Sequence, residues 1–121
     1  MNLRDAIQNT KFVLRAIDVP GWGEKGTFFL RPILFKDQQA VSKLVRDAAK
    51  NNDEDVSSEV IVFSILKSLC NESGVLVLKD CPEDRELIAS QAVDTLNYLM
   101  KEINALNGFD ENAPVEGAIK N

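Results

Sequence analysis

Two short runs of β-branched and aromatic residues near the start of the chain constrain its fold most. KFVLRAIDV (11–19) and TFFLRPI (27–33) are typical of β-strands, and Pro32 marks an end or an edge because proline cannot donate a ladder hydrogen bond. The connector PGWGEKG (20–26) is rich in glycine, so the two runs are predicted to form a β-hairpin with a longer loop. An isolated hairpin is only marginally stable in water, so this one must pack against other elements.

Apolar residues at helical spacing supply that support in the middle of the chain. The segment 37–52 is predicted to be a helix with Asp37 as its N-cap, and a second helix is predicted to restart at Ser57 or Ser58. This second helix is apolar over most of its circumference as far as Cys70, a pattern typical of a central, buried helix.

The last third of the chain has the cleanest helical period. The run VLVL (75–78) is predicted to be an extended segment against the hairpin. A helical pattern then starts at Pro82, is predicted to break near Ala89, and ends at Asn107-Gly108. Leu96, Leu99, Met100 and Ile103 form one apolar stripe on this helix, which is predicted to pack against the rest of the domain or a second copy.

These elements predict an α+β fold. We expect a predominantly helical single domain in which an N-terminal β-hairpin packs on three or four helices. Residues 1–10 are interpreted as an N-terminal extension, 11–108 as the folded domain, and 109–121 as a flexible acidic tail, because FDENAPVEGAIKN combines proline, glycine and acids.

Charge and hydrophobicity restrict the classes of partner. Residues 1–50 hold nine Lys/Arg against five Asp/Glu, whereas residues 51–121 hold five against fourteen, and the net charge is −5. This balance argues against a nucleic-acid partner, which needs clustered cations, and favours a protein partner. No apolar run approaches the roughly 20 residues that span a bilayer, so we expect no membrane partner and a cytoplasmic location.

The residues for catalysis or metal binding are missing or are explained by local structure. The chain has no histidine and two cysteines, Cys70 and Cys81, which are expected to be buried thiols. The acids of NDED (52–55) and PEDRE (82–86) lie at helix starts, where they favour the helix dipole. We therefore expect a protein that is not an enzyme and that holds neither metal nor cofactor.

Trp22, the only tryptophan, lies between two glycines of the hairpin connector. Two interpretations remain open from the sequence. The indole packs back over the hairpin or onto a helix, or it is an anchor for a partner, since tryptophan is enriched among the residues that contribute most to binding.

The motifs VPGWG (19–23), NESG (71–74) and LNG (106–108), in this order, resemble those of the tail assembly chaperones of long-tailed bacteriophages. Short members of that family have a VP-x-WG turn after a first strand, a D/N-E-x-G turn in the middle, and a last helix that ends in LNG before an acidic tail. The resemblance covers about residues 11–110. The chain departs from it at ILFKDQQ (33–39), where the family has an acidic helix start, and in its N-terminal extension.

The resemblance implies a non-enzymatic factor that binds the tape-measure protein and tail-tube subunits in the host cytoplasm and is absent from the finished virion. The partner-binding candidates are aromatic residues of the hairpin and apolar positions of the last helix that are expected to be exposed: Trp22, Phe28, Phe29, Leu99 and Ile103. The alternative is a small acidic regulatory adaptor or inhibitor of phage or bacterial origin that occupies a basic site on its target. Self-association into a homo-oligomer is also left open.

The resemblance further implies a second, longer product made by ribosomal frameshifting, through which the tail-tube protein is recruited. Slippage of the ribosome by one nucleotide needs a heptamer on which both tRNAs pair again. Codons for Ile119, Lys120 and Asn121 can contain such a heptamer, so frameshifting is predicted at this end of the chain.

Overall fold

The computed structural model describes residues 2–23, 28–52 and 56–108. Within these ranges the chain forms five helices and three strands. In chain order they are α1 (Leu3–Gln8), β1 (Arg15–Ile17), β2 (Phe28–Leu30), α2 (Phe35–Asn51), α3 (Val56–Leu66), β3 (Leu69–Cys70), α4 (Pro82–Ala89) and α5 (Val93–Leu106).

The strands form an antiparallel sheet in the order β1-β2-β3. Ile17 lies opposite Phe28 in the β1–β2 pair, so the predicted hairpin is confirmed, although each strand is only three residues long. The third strand was not predicted, and the expectation that the central helix continues to Cys70 is wrong. The Leu69 carbonyl accepts a hydrogen bond from Val77 N–H at 3.1 Å and Leu69 pairs with Leu30, so long-range ladder bonds override the local helical pattern.

The run 75–78 makes an isolated bridge rather than a strand against the hairpin. Leu76 pairs with Cys70 of β3, which lies between this run and β2. Asn71 shapes the intervening turn, because its side-chain oxygen accepts hydrogen bonds from the N–H groups of Ser73 and Val75 at 2.8 and 3.1 Å. The segment therefore widens the sheet edge without adding a regular strand.

The helix α2 begins earlier than predicted. Leu34, not Asp37, is its N-cap residue, and the Leu34 carbonyl accepts hydrogen bonds from Asp37 and Gln38 at 3.0 Å. Asp37 lies in the first turn instead, where its charge still favours the helix dipole. The helix ends at Asn51, and the C-cap residue Asn52, with φ of 54°, has the left-handed conformation common at a helix C-terminus.

The helix α3 is central, as predicted. It packs against α2, α4 and α5, and its last four residues, Phe63 to Leu66, are all buried. The predicted break after Ala89 is confirmed too, since α4 ends there and α5 begins at Val93. Asn107 and Gly108, with φ +80° at the glycine, end α5 at the predicted place.

The core lies where the sheet meets α3 and α5. Its buried members come from the three strands, the turn after β1, and the helices α3, α4 and α5: Ile17, Val19, Leu30, Ile65, Leu66, Leu69, Ile88, Leu99 and Ile103. The chain is therefore an α+β, predominantly helical single domain with an N-terminal hairpin, and the predicted fold class is confirmed. Residues 2–10 are exposed throughout, and the predicted tail 109–121, with Ile119–Asn121, lies outside the described residues.

Candidate functional site

The turn after β1 carries Trp22 in a conformation that its neighbours allow. Trp22 N–H donates to the Val19 carbonyl at 3.0 Å, which closes the turn. Gly21 and Gly23 on either side have φ values of +89° and +113°, which other residues rarely adopt. The two glycines therefore hold the tryptophan at a turn that a chain of larger residues would not form readily.

The indole of Trp22 contacts both the hairpin and the link between α4 and α5. Its ring meets Phe28 edge-on, with centroids 6.0 Å apart and planes at 87°. Its Nε1–H donates to the Gln91 side-chain oxygen at 3.0 Å. The side chain is partly buried against the core, so the interpretation that the turn packs back onto the domain is confirmed. Its role as a partner anchor stays a prediction.

An apolar cleft opens beside this indole. It has a volume of about 350 Å³ and is called the Trp22 cleft below. Ile88, 3% exposed, belongs to the core, whereas Leu87 and Val77 leave 53% and 39% of their surfaces to solvent. Among the described residues that line it, Gln91 alone is polar; the lining consists of Trp22, Phe28, Leu69, Val77, Leu78, Leu87, Ile88 and Gln91.

The structure brings together only two of the predicted partner-binding residues. Trp22 and Phe28 share the cleft, whereas Phe29 lies on the opposite face of the sheet because side chains alternate along a strand. The expectation that Leu99 and Ile103 are exposed is wrong: they are 0% and 1% exposed. They point into the core, so neither presents surface to a partner in the folded chain, and their predicted packing within the domain is confirmed.

Sequence reasoning missed Leu87, Val77 and Gln91. Leu87 and Ile88 both belong to the helical pattern that starts at Pro82, yet adjacent helical residues point about 100° apart. In the short helix α4 only Ile88 is buried, so Leu87 falls at the edge of the cleft. That angular difference is the signal that identifies Leu87 from sequence, whereas no local pattern places Gln91 next to an indole 69 residues away.

The loop before α4 is held by charged groups. Arg85 Nε lies 2.6 Å from a carboxylate oxygen of Asp80, and this hydrogen bond lowers the pKa of Asp80 and raises that of Arg85. A carboxylate oxygen of Asp84 accepts from Lys79 N–H at 2.7 Å. Pro82 in the first turn is also compatible with a helix start. These contacts fix the orientation of α4, the helix that supplies one wall of the cleft.

The described residues near the cleft do not form a reactive centre. Burial raises the pKa of the Cys70 thiol, which the nearby Arg31 charge opposes, so the thiol is protonated at neutral pH and is a poor nucleophile. Cys70 and Cys81 are both free thiols; Cys70 is buried as predicted, whereas Cys81 is only partly buried. Across the described ranges, no group of three or more His, Cys, Asp or Glu side chains is placed to hold a metal ion. What the cleft offers chemically is an apolar contact surface.

Comparison of the chain with known proteins found no matching family model, curated protein or solved structure. No helix in the described part of the chain is long and apolar enough to cross a membrane.

Proposed function

We propose that this chain is a tail assembly chaperone of a long-tailed bacteriophage. It binds an apolar helical segment of the tape-measure protein in the Trp22 cleft, without catalysis. The single observation that carries the proposal is that Trp22 of VPGWG, one of the three motifs of the family resemblance, forms one wall of an open apolar cleft. The proposal includes action in the host cytoplasm, absence from the finished virion, and recruitment of tail-tube subunits by a longer frameshifted product.

The cleft fits one face of a helix better than a cofactor. Its volume of about 350 Å³ is at the small end of ligand sites, and of the described residues in its lining only Gln91 offers a polar side chain to orient a small molecule. A helix bound in a groove needs only an apolar floor for a few anchor side chains. Trp22 and the half-exposed Leu87 supply such a floor, with Gln91 holding the indole in place.

A tape-measure protein is a suitable occupant of the cleft because it exposes apolar surface before the tail tube is assembled. It is a very long, largely helical chain whose apolar faces lack a cover until tube subunits surround it. A contiguous apolar surface of that kind promotes aggregation unless another protein covers it. A shallow cleft makes few contacts with such a surface, so each chaperone copy binds reversibly. The negative net charge of the chaperone keeps the complex soluble.

The proposal is tested by co-expressing the chain with the tape-measure protein of its own gene neighbourhood and measuring co-purification. Leu87→Ser removes a cleft residue that is already half exposed, so we expect normal folding and at least tenfold less bound tape-measure protein. Val93→Ser is the matched control, because Val93 is 72% exposed and lies outside the cleft lining. Equal co-purification by both variants would contradict the proposal.

A regulatory adaptor that occupies a basic site is the alternative, favoured by the exposed acids of α4. Glu83 and Glu86 are exposed and do not line the Trp22 cleft. An adaptor of this kind loses its target on Glu83→Gln with Glu86→Gln and keeps it on Leu87→Ser, the reverse of the chaperone pattern. Its gene also need not lie beside a tape-measure gene.

A further inference from the structure

The outward face of α2 carries a row of positive charge. Lys36, Lys43 and Lys50 are seven residues apart, which is close to two helical turns, so they lie along one line of the helix, and all three are exposed. Arg46 is exposed beside them. Only Asp37 and Asp47 offset these four cations within α2.

Negative charge lies on the same side of the molecule, across α3. A groove of about 290 Å³ runs between Lys43 of α2 and Arg85 of α4, with Phe63 of α3 in its floor. Asp47 also lines this groove, and one of its carboxylate oxygens lies 2.6 Å from Lys43 Nζ. Arg85 also borders a second groove of about 250 Å³, whose lining includes the exposed Glu59 and Glu86. One face, called the α2–α4 face below, therefore has a basic edge, two shallow grooves and an acidic edge.

The two edges are complementary to each other but belong to one molecule. In an isologous dimer both copies use the same surface, and if residue i of one copy contacts residue j of the other, then residue j of the first also contacts residue i of the second. A surface with a positive and a negative edge can therefore pair with itself about a two-fold axis. We propose that the α2–α4 face binds the α2–α4 face of a second copy, with the lysine row of each copy against Glu59 and Glu86 of the other. This proposal goes beyond the tape-measure function and does not rest on it.

Dimerisation through this face leaves the Trp22 cleft open. Along α4, Leu87 and Ile88 point toward the cleft, whereas Arg85 and Glu86 point toward the grooves. The mean directions of these two pairs are nearly opposite, because residues two positions apart, such as 85 and 87 or 86 and 88, lie about 200° apart around a helix. Both Trp22 clefts of such a dimer would therefore remain accessible.

The proposed dimer is held by charges at exposed positions, so its dissociation constant must depend on the salt concentration. The screening length is about 10 Å at 0.1 M salt and about 3 Å at 1 M. We expect the dissociation constant, measured by sedimentation equilibrium of the full chain, to rise at least about tenfold between roughly 20 mM and 500 mM salt. A chain that stays monomeric at several hundred micromolar in low salt overturns the proposal, as does a dimer that salt leaves unchanged.

Charge reversal tests the partners directly. Lys36→Glu with Lys43→Glu makes the basic edge acidic, and Glu59→Lys with Glu86→Lys makes the acidic edge basic; each double variant alone is expected to be monomeric at low salt. An equimolar mixture of the two is expected to dimerise, because every edge then meets an opposite charge. Circular dichroism establishes that each variant is folded before its mass is measured.

Lys11→Glu with Lys101→Glu is the matched control, since both lysines are exposed and neither lines the two grooves. This variant lowers the net charge by the same amount as Lys36→Glu with Lys43→Glu, and it is expected to dimerise as the unaltered chain does. Monomers in the mixture, or species larger than a dimer, overturn the two-fold pairing. The tape-measure test uses Leu87, which these variants leave unchanged, so either proposal can fail without the other.

Discussion

Replacement of Trp22 by alanine measures how firmly the turn is packed against the domain. A fully buried aromatic residue contributes about 3 to 5 kcal/mol relative to alanine. Trp22 is only partly buried, so we expect roughly half of that, about 2 kcal/mol. Loss of the hydrogen bond to Gln91 adds about 0.5 to 1 kcal/mol. The free energy of unfolding is therefore expected to fall by roughly 2 to 3 kcal/mol, which lowers Tm by roughly 6 to 15 °C for a chain of this size.

Urea unfolding followed by circular dichroism is the appropriate assay, because the variant has no tryptophan to report by fluorescence. Gln91→Ala and the double variant complete a thermodynamic cycle, in which the coupling energy of the indole and the amide is expected to be about 0.5 to 1 kcal/mol. A loss below about 1 kcal/mol for Trp22→Ala refutes the packing seen in the structure. A loss above about 4 kcal/mol shows an indole that is fully covered in solution, which removes the cleft as a docking site.

Three further predictions follow from local geometry. Gly21→Ala is expected to reduce the free energy of unfolding by about 1 to 2 kcal/mol, because φ at this position is +89°; a change below about 0.3 kcal/mol in urea unfolding would contradict this strain. Asn107→Ala is expected to cost about 1 to 3 kcal/mol in the same assay, because the Ile33 N–H loses the acceptor that lies 2.9 Å away. Arg85 lowers the pKa of Asp80, so their pair stabilises the fold above the ordinary carboxyl pKa of 3.8 and loses this effect as the pH falls below it. Asp80→Asn should then lower the free energy of unfolding at pH 7 by less than about 1 kcal/mol, since both side chains are over one-third exposed. Between about pH 5 and 2 the free energy of unfolding of this variant should fall less steeply than that of the unaltered chain. The same pH dependence in both proteins would contradict a stabilising Asp80–Arg85 pair.

The hairpin and the last two helices could be predicted because their signals are local. Glycine between two β-branched runs favours reversal of the chain, and Pro82 and Asn107-Gly108 favour the start and the end of a helical segment through the conformations of those residues alone. Helical spacing placed Leu99 and Ile103 on one stripe, although it left open whether the stripe packs within the domain or against a second copy.

The third strand could not be predicted in the same way. Leu69 and Cys70 continue the apolar helical pattern of α3, and their extended conformation depends on ladder bonds to Leu30 and Phe29, about 40 positions earlier. Such pairing is absent from any local window, and where it forms it outweighs helix propensity. The same pairing explains why α3 ends at Leu66, before its apolar helical pattern does.

The sequence by itself determined the fold class, the order of the main elements and the uneven distribution of charge, since each of these depends on residue type and on spacing along the chain. Only the tertiary structure decided which apolar residues remain accessible. The Trp22 cleft joins side chains as far apart as Trp22 and Gln91, and its accessible edge at Leu87 depends on how α4 is rotated against the sheet. Burial is set by the packing of several elements at once, so an apolar pattern predicts that a face is covered or bound without specifying which.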